Sequence, residues 1–257
     1  MRDKWVILAI CILLAGCQPE DTSVSHRDIL DDYRALNIRL ESLAYPLLKA
    51  NQDICDQTYK DDGIRWHQLA DYPEDLQAVA QSYWGVNEKP SVFYVLSGSV
   101  ADKAGIAQSD RPSDERLMAM DAAPTICKYS ILVSYIDEIN AYATGNEIIV
   151  TSGMLRSIDD DHYLTLVLAH ELSHNILDHI GNPSDNDKEA EADAAAVNLM
   201  ARAGLDFEKA IESRIAYQRA SAGDRGLSKL EKQRIEKFKL YSEDVKTRQK
   251  NGKALWP

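Results

Sequence analysis

Apolar positions recur at three- and four-residue spacing over much of the chain, the mark of amphipathic helices. Residues 29–48 show it first, with Leu30, Tyr33, Leu36, Leu40, Leu43, Ala44, Leu47 and Leu48 on one side. Residues 72–83 follow, opened by Pro73, acidic in the first turn and stopped before Gly85. Three further helical patterns cover 162–180, 187–203 and 206–221, and a long charged one covers 228–248. Strand signals are fewer and shorter. Residues 92–96 form an apolar run, while 131–136 and 147–151 are β-branched and lie near Gly145 and Gly153. No repeat of 20–50 residues is visible. The pattern predicts a helix-rich chain with few strands.

The 257 residues leave room for one large domain or two small ones. A net charge of −12 argues against a protein that tracks nucleic-acid phosphates, which needs a basic face. A mean hydropathy of −0.36 argues against a multi-span membrane protein, but that average hides one apolar run. After the charged start Met1-Arg2-Asp3-Lys4, residues 5–14 are wholly apolar. At about 1.5 Å per residue they reach about half of the roughly 30 Å hydrocarbon core, so they have the length of a signal peptide. Leu14-Ala15-Gly16-Cys17 then resembles a bacterial lipobox. On that reading residues 1–16 are removed, Cys17 carries the lipid, and residues 17–26 are a tether from the membrane. Gln18, in the position after the Cys, resembles an outer-membrane sorting signal. The alternative is a plain secretory signal with an incidental Cys. The lipobox reading sets the expected location, the bacterial envelope, with the protein lipid-anchored on the periplasmic face at the outer membrane.

Of four cysteines, Cys11 leaves with the signal and Cys17 is the lipid site. Cys55 and Cys127 remain, an even pair in an oxidising compartment, expected as a disulfide or else as two buried thiols.

The candidate chemistry lies in His170-Glu171-Leu172-Ser173-His174. On a helix, residues four apart share a face, so both imidazoles can reach one zinc ion while Glu171 stands beside it as a general base. His179 is five residues past His174, where a third histidine on the metzincin pattern would fall at Ile180, so it is expected to be an exposed turn residue. Glu189 and Asp193 are again four apart on one helix. Glu189 fits as the third ligand of a gluzincin site, with Asp193 bonding a ligand imidazole from behind. Glu191 points elsewhere.

With these residues the chain resembles metallopeptidase family 48, which includes the CAAX prenyl endopeptidase, and in particular its soluble periplasmic lipoproteins. Asn140-Ala141-Tyr142-Ala143, the strand at 147–151 and Ser152-Gly153-Met154-Leu155 resemble a family segment that precedes the H-E-x-x-H motif. The resemblance implies an α+β fold: a helix-rich body over 27–85 and 123–257, with a small mixed sheet whose edge receives extended substrate. It implies one zinc per chain and polypeptide substrates, with misfolded or misassembled envelope proteins expected. Residues 95–106, with Gly98-Ser99 and Ala104-Gly105-Ile106, resemble the start of a PDZ domain. A truncated PDZ-like insert is therefore expected at 86–122, with 116–121 as its next strand, and in such relatives two cysteines flank the insert. The family's C-terminal histidine has no counterpart after His179, with Ser228 or a neighbour in its place. Arg234 in Gln233-Arg234-Ile235 is the candidate to help polarise the substrate carbonyl. A second expectation, from a different class, is a metal-containing envelope chaperone or adaptor with weak or latent proteolysis.

Overall fold

The computed structural model describes residues 25–118, 122–179 and 185–255. The signal segment, Cys17 and most of the tether lie outside the described residues. No helix among the described residues is long and apolar enough to cross a membrane.

Helix α1 (His26–Ala50) begins on a reciprocal cap. Ser25 Oγ accepts from the Asp28 N–H at 3.2 Å, and the Asp28 carboxylate accepts from the Ser25 N–H at 3.0 Å. The helix ends at Asn51, which is fully buried because each polar atom of its amide has work. Its Nδ2 donates to the carbonyls of Leu47 and Leu199, and its Oδ1 accepts from Arg202.

The chain then leaves the body and returns. Strand β1 (Thr58–Lys60) goes out, and after β2 (Ile64–His67), α2 (Glu74–Trp84), β3 (Ser91–Val95), α3 (Val100–Lys103) and α4 (Asp114–Met118) the chain returns on β4 (Thr125–Cys127). β1 and β4 pair antiparallel, with Thr58 opposite Cys127, and a Cys55–Cys127 disulfide closes the neck. The expected bridge is therefore present.

Between β1 and β4 lies a small lobe. β2 and β3 pair antiparallel, and Tyr72, Leu76, Ala80, Trp84, Val86, Phe93 and Leu96 pack with Leu30 of α1. Residues on both sides of position 85 share this core, so a boundary there cuts through one packed unit. One part of the PDZ-like expectation, the strand at 116–121, is corrected. Ser99 Oγ accepts from the Asp102 N–H at 3.1 Å and Gly105 turns at φ +67°, so the motif is a capped helical turn. Residues 114–118 are helical where a strand was expected, and 119–121 lie outside the described residues. Arg116 spans back to donate to the carbonyls of Ala104 and Gly105, closing the end of α3.

The body carries the expected mixed sheet. Strands β5 (Ser130–Ser134), β6 (Ala141–Ala143) and β7 (Glu147–Thr151) lie in the order β5-β7-β6, with β5 parallel and β6 antiparallel to β7. Helices α5 (Ser152–Ser157), α6 (Asp161–Ile176), α7 (Asn186–Arg202), α8 (Phe207–Ala222) and α9 (Lys229–Lys250) complete it. Leu40, Leu47, Ile148, Leu164, Leu168, Leu199 and Phe238 form the common core with α1. The helix expected to run to 180 stops at Ile176, and Asp178 takes a left-handed turn at φ +54°.

The Thr151-Ser152-Gly153 corner sets the edge strand. Thr151 Oγ1 donates towards the carbonyls of Glu138 and Asn140, and Ser152 Oγ donates to that of Ile136. A Cβ on Gly153 would meet the Asp137 carbonyl oxygen at 2.2 Å, so only glycine lets the 136–140 loop lie this close. That loop leads directly into β6 beside α6.

Candidate metal centre

One turn of α6 carries His170 and His174, and their Nε2 atoms stand 3.0 Å apart. Two imidazole nitrogens this close, with no obligatory proton between them, are suited to share an electrophile. Glu189, from the first turn of α7, completes the set: its Oε2 is 3.4 Å from His170 Nε2 and its Oε1 3.3 Å from His174 Nε2. The three ligand atoms lie within 4.8 Å of one another. Two nitrogens and one carboxylate, partly open to solvent, fit zinc with a position left for water or substrate.

Behind them stands Asp193, 3 % exposed, with its Oδ1 3.0 Å from His170 Nδ1. The carboxylate stands within hydrogen-bonding distance of that ring nitrogen and faces it as a charge partner. Arg234 of α9 holds Asp193 with two donors, Nε at 2.5 Å and Nη2 at 2.7 Å, and Nη2 reaches Glu189 at 3.3 Å. Arg234, expected from the sequence to face the substrate carbonyl, directs these donors at the two carboxylates instead. The fork fixes α9 to α7 and orients both acids.

Charge follows from this packing. Burial works against protonated His170, but Asp193 and Glu189 outweigh it and hold the imidazole up at about 9 without metal. Glu189 sits far below the usual carboxylate range because His170 and His174 donate to it. Burial raises Asp193, and His170 and Arg234 more than reverse that, leaving it lowered. Glu171 goes the other way. Burial raises it, only partly offset by the two histidines and by a hydrogen bond from the Ala143 backbone on β6. A carboxyl poised upward beside an edge strand is the usual condition of a general base.

The sequence model for peptidase family M48 matches residues 114–184. Over that stretch the chain is similar to peptidase family M48. Peptidases of that family are zinc-dependent, and the match takes in His170, Glu171 and His174. Glu189 and Asp193 lie beyond it and are placed by the fold alone. No curated protein matches the chain.

The centre opens on a cavity of about 200 Å³ lined by Asn140 and Ala141 before and on β6, by His170 and Glu171, and by Arg214, Arg234 and Phe238. Two residues of the site escaped the sequence reading. Asn175 directly follows the motif, and its side chain accepts from the Gly145 N–H at 2.7 Å and donates to the Glu147 carbonyl at 3.0 Å. It thereby ties the metal-binding helix to the β6–β7 turn. Arg214 occupies an apolar-stripe position of α8, after Phe207, Ala210 and Ile211, and is buried. A charged residue on that stripe was the signal available for it.

His179 corrects an expectation. Its side chain is only 7 % exposed, its Nε2 is 3.2 Å from Glu191 Oε2, and its ring meets that of His174 edge-on at 5.4 Å. The early end of α6 folds it back against the site. Glu191 itself points outward, as expected, and serves as its partner.

Proposed function

We propose that this chain is a zinc-dependent endopeptidase acting on misfolded or misassembled polypeptides of the bacterial envelope, lipid-anchored through Cys17. The observation that carries the peptidase reading is the convergence of His170, His174 and Glu189 beside buried Glu171 and the edge strand β6. The apolar run at 5–14 and Leu14-Ala15-Gly16-Cys17 support the envelope location and the anchor.

His170, His174 and Glu189 would hold the zinc. When bound, it supplies a Lewis acid towards the carbonyl and lowers the pKa of water towards about 7. Glu171 takes the attacking water's proton and returns it to the leaving amine. Asp193 and Arg234 keep His170 and Glu189 in register through that exchange. An extended substrate lies along β6, where backbone groups of the edge bind it without regard to sequence, which suits unfolded clients.

The test is cleavage of casein by protein carrying one zinc per chain, compared with Glu171→Gln. The variant is expected to lose roughly 10²–10⁴ in rate while keeping its zinc. A zinc-loaded wild type that cleaves nothing the variant spares overturns the protease reading. If it still holds unfolded casein in solution, the chaperone reading replaces it.

A further inference from the structure

We infer that Arg214 is a catalytic residue of this chain, the donor that faces the substrate carbonyl oxygen as negative charge develops on it. The inference rests on the peptidase reading and assigns a group to a role left open by the engagement of Arg234.

A guanidinium stays charged in any protein, and taking that charge out of water is costly unless an anion meets it. Arg214 is 7 % exposed. Its Nη1 donates to neutral Gln218 Oε1 at 3.2 Å, and its planar face lies over the Phe238 ring at 4.4 Å. Neither partner carries a charge. Among the described residues Arg214 forms no ion pair, whereas neighbouring Arg234 is bonded to both Asp193 and Glu189. Burial first, and then the repulsion of Arg234, lower its affinity for its proton; the nearby charges of Asp193 and Glu189 offset this only in part, and neither carboxylate bonds Arg214 directly.

The space it faces is the catalytic one. Arg214 and Glu171 line the same cavity of about 200 Å³. A substrate carbonyl placed for attack at Glu171 thus lies in the cavity that Arg214 also lines. As the water oxygen bonds to the carbonyl carbon, its proton passes to Glu171 and the carbonyl π pair moves onto oxygen. Return of the proton to nitrogen then accompanies breaking of the C–N bond. The charge on oxygen between those two events is the anion that Arg214 lacks at rest. Its stack and its Gln218 tether hold it ready, so little reorganisation is required.

The experiment compares zinc-loaded wild type with Arg214→Met for kcat and KM on a peptide with both ends blocked. Binding of a phosphinic peptide analogue of the tetrahedral state is measured by calorimetry, and zinc content by metal analysis. The expected result is a kcat lower by about 10²–10³, a matching loss of analogue affinity, and unchanged KM and zinc content. An undiminished kcat overturns the inference. So does a rise in KM confined to peptides with a free C-terminal carboxylate, which would make Arg214 a terminus anchor. If Arg214→Met does not fold, Gln218→Ala, which removes only the tether from a half-buried position, decides the matter: reduced kcat with reduced analogue affinity supports the inference, and unchanged values overturn it. A wild type that neither cleaves nor binds the analogue defeats the protease reading and this inference together. A cleaving wild type with an equally active Arg214→Met defeats this inference alone.

Discussion

The helical body and the lobe between β1 and β4 both bury ionised side chains, but only one of them makes a site. In the lobe, Arg65 binds Glu41 of α1 and donates twice to Asp61, while Tyr94 donates to Glu41 at 2.8 Å and Tyr59 to Asp61 at 3.1 Å. Each charge there meets its opposite, and the result is a clamp between α1 and the lobe. In the body, Arg234, Asp193, His170 and Glu189 form a similar chain, but it ends on three ligand atoms facing open space, with Glu171 and Arg214 on the walls. A buried charge network becomes chemistry where it stops short of closing on itself.

The sharpest way to break this comparison is Asp193→Ala. It leaves Arg234 without its main partner and His170 without backing. Losing one member of a buried pair costs about 3–5 kcal/mol, and losing a group behind a metal ligand costs about 10–100-fold in metal affinity. Thermal unfolding without metal and a zinc competition titration read the two effects separately. Zinc affinity equal to wild type would show that the Arg234–Asp193 link is only a clamp, like that of the lobe.

The disulfide tests the other half. Replacing Cys55 and Cys127 with Ala opens a loop whose ends are 72 residues apart, worth about 4 kcal/mol in the chain-entropy model. Denaturant unfolding should show that loss, while turnover per bound zinc stays near wild type because the ligands sit on α6 and α7. A large fall in turnover per zinc would mean that the lobe shapes the site.

The smallest effect concerns His67, packed among Tyr72, Trp84 and Phe93 with its Nδ1 2.6 Å from the Tyr72 hydroxyl. Burial, helped by Arg111 and Arg34, lowers its pKa from 6.5 to about 4. The unfolded chain therefore binds this proton first, so stability falls as pH drops from 6.5 towards 4 and the loss levels off below that. Urea unfolding across that range should give a shallower slope for His67→Phe than for wild type. Parallel slopes would mean that the ring is protonated inside the lobe.

Much of the body was legible in the sequence. The periodicity at 29–48, 187–203 and 206–221 became α1, α7 and α8 with ends moved by a few residues. The β-branched run at 147–151 became the central strand of the mixed sheet. In the lobe, the strand expected at 116–121 was misread, because a local turn, with Ser113 Oγ accepting from the Arg116 N–H, starts a helix at 114–118 that the short apolar pattern does not announce. His179 was misplaced because the end of α6 depends on a left-handed Asp178, which no periodic pattern announces.

The sequence by itself determined the part of the centre that lives on single helices. His170, Glu171 and His174 share one turn, and Glu189 and Asp193 another, because an α-helix brings residues four apart to one face whatever surrounds it. Tertiary structure alone decided that the two turns meet, that Arg234, 41 residues from Asp193, closes on it, and that Arg214 and Glu171 line one cavity. Those placements come from the packing of α8 and α9 against α6 and α7. Contacts between helices depend on how whole faces fit, and that fit leaves no spacing in the chain to read.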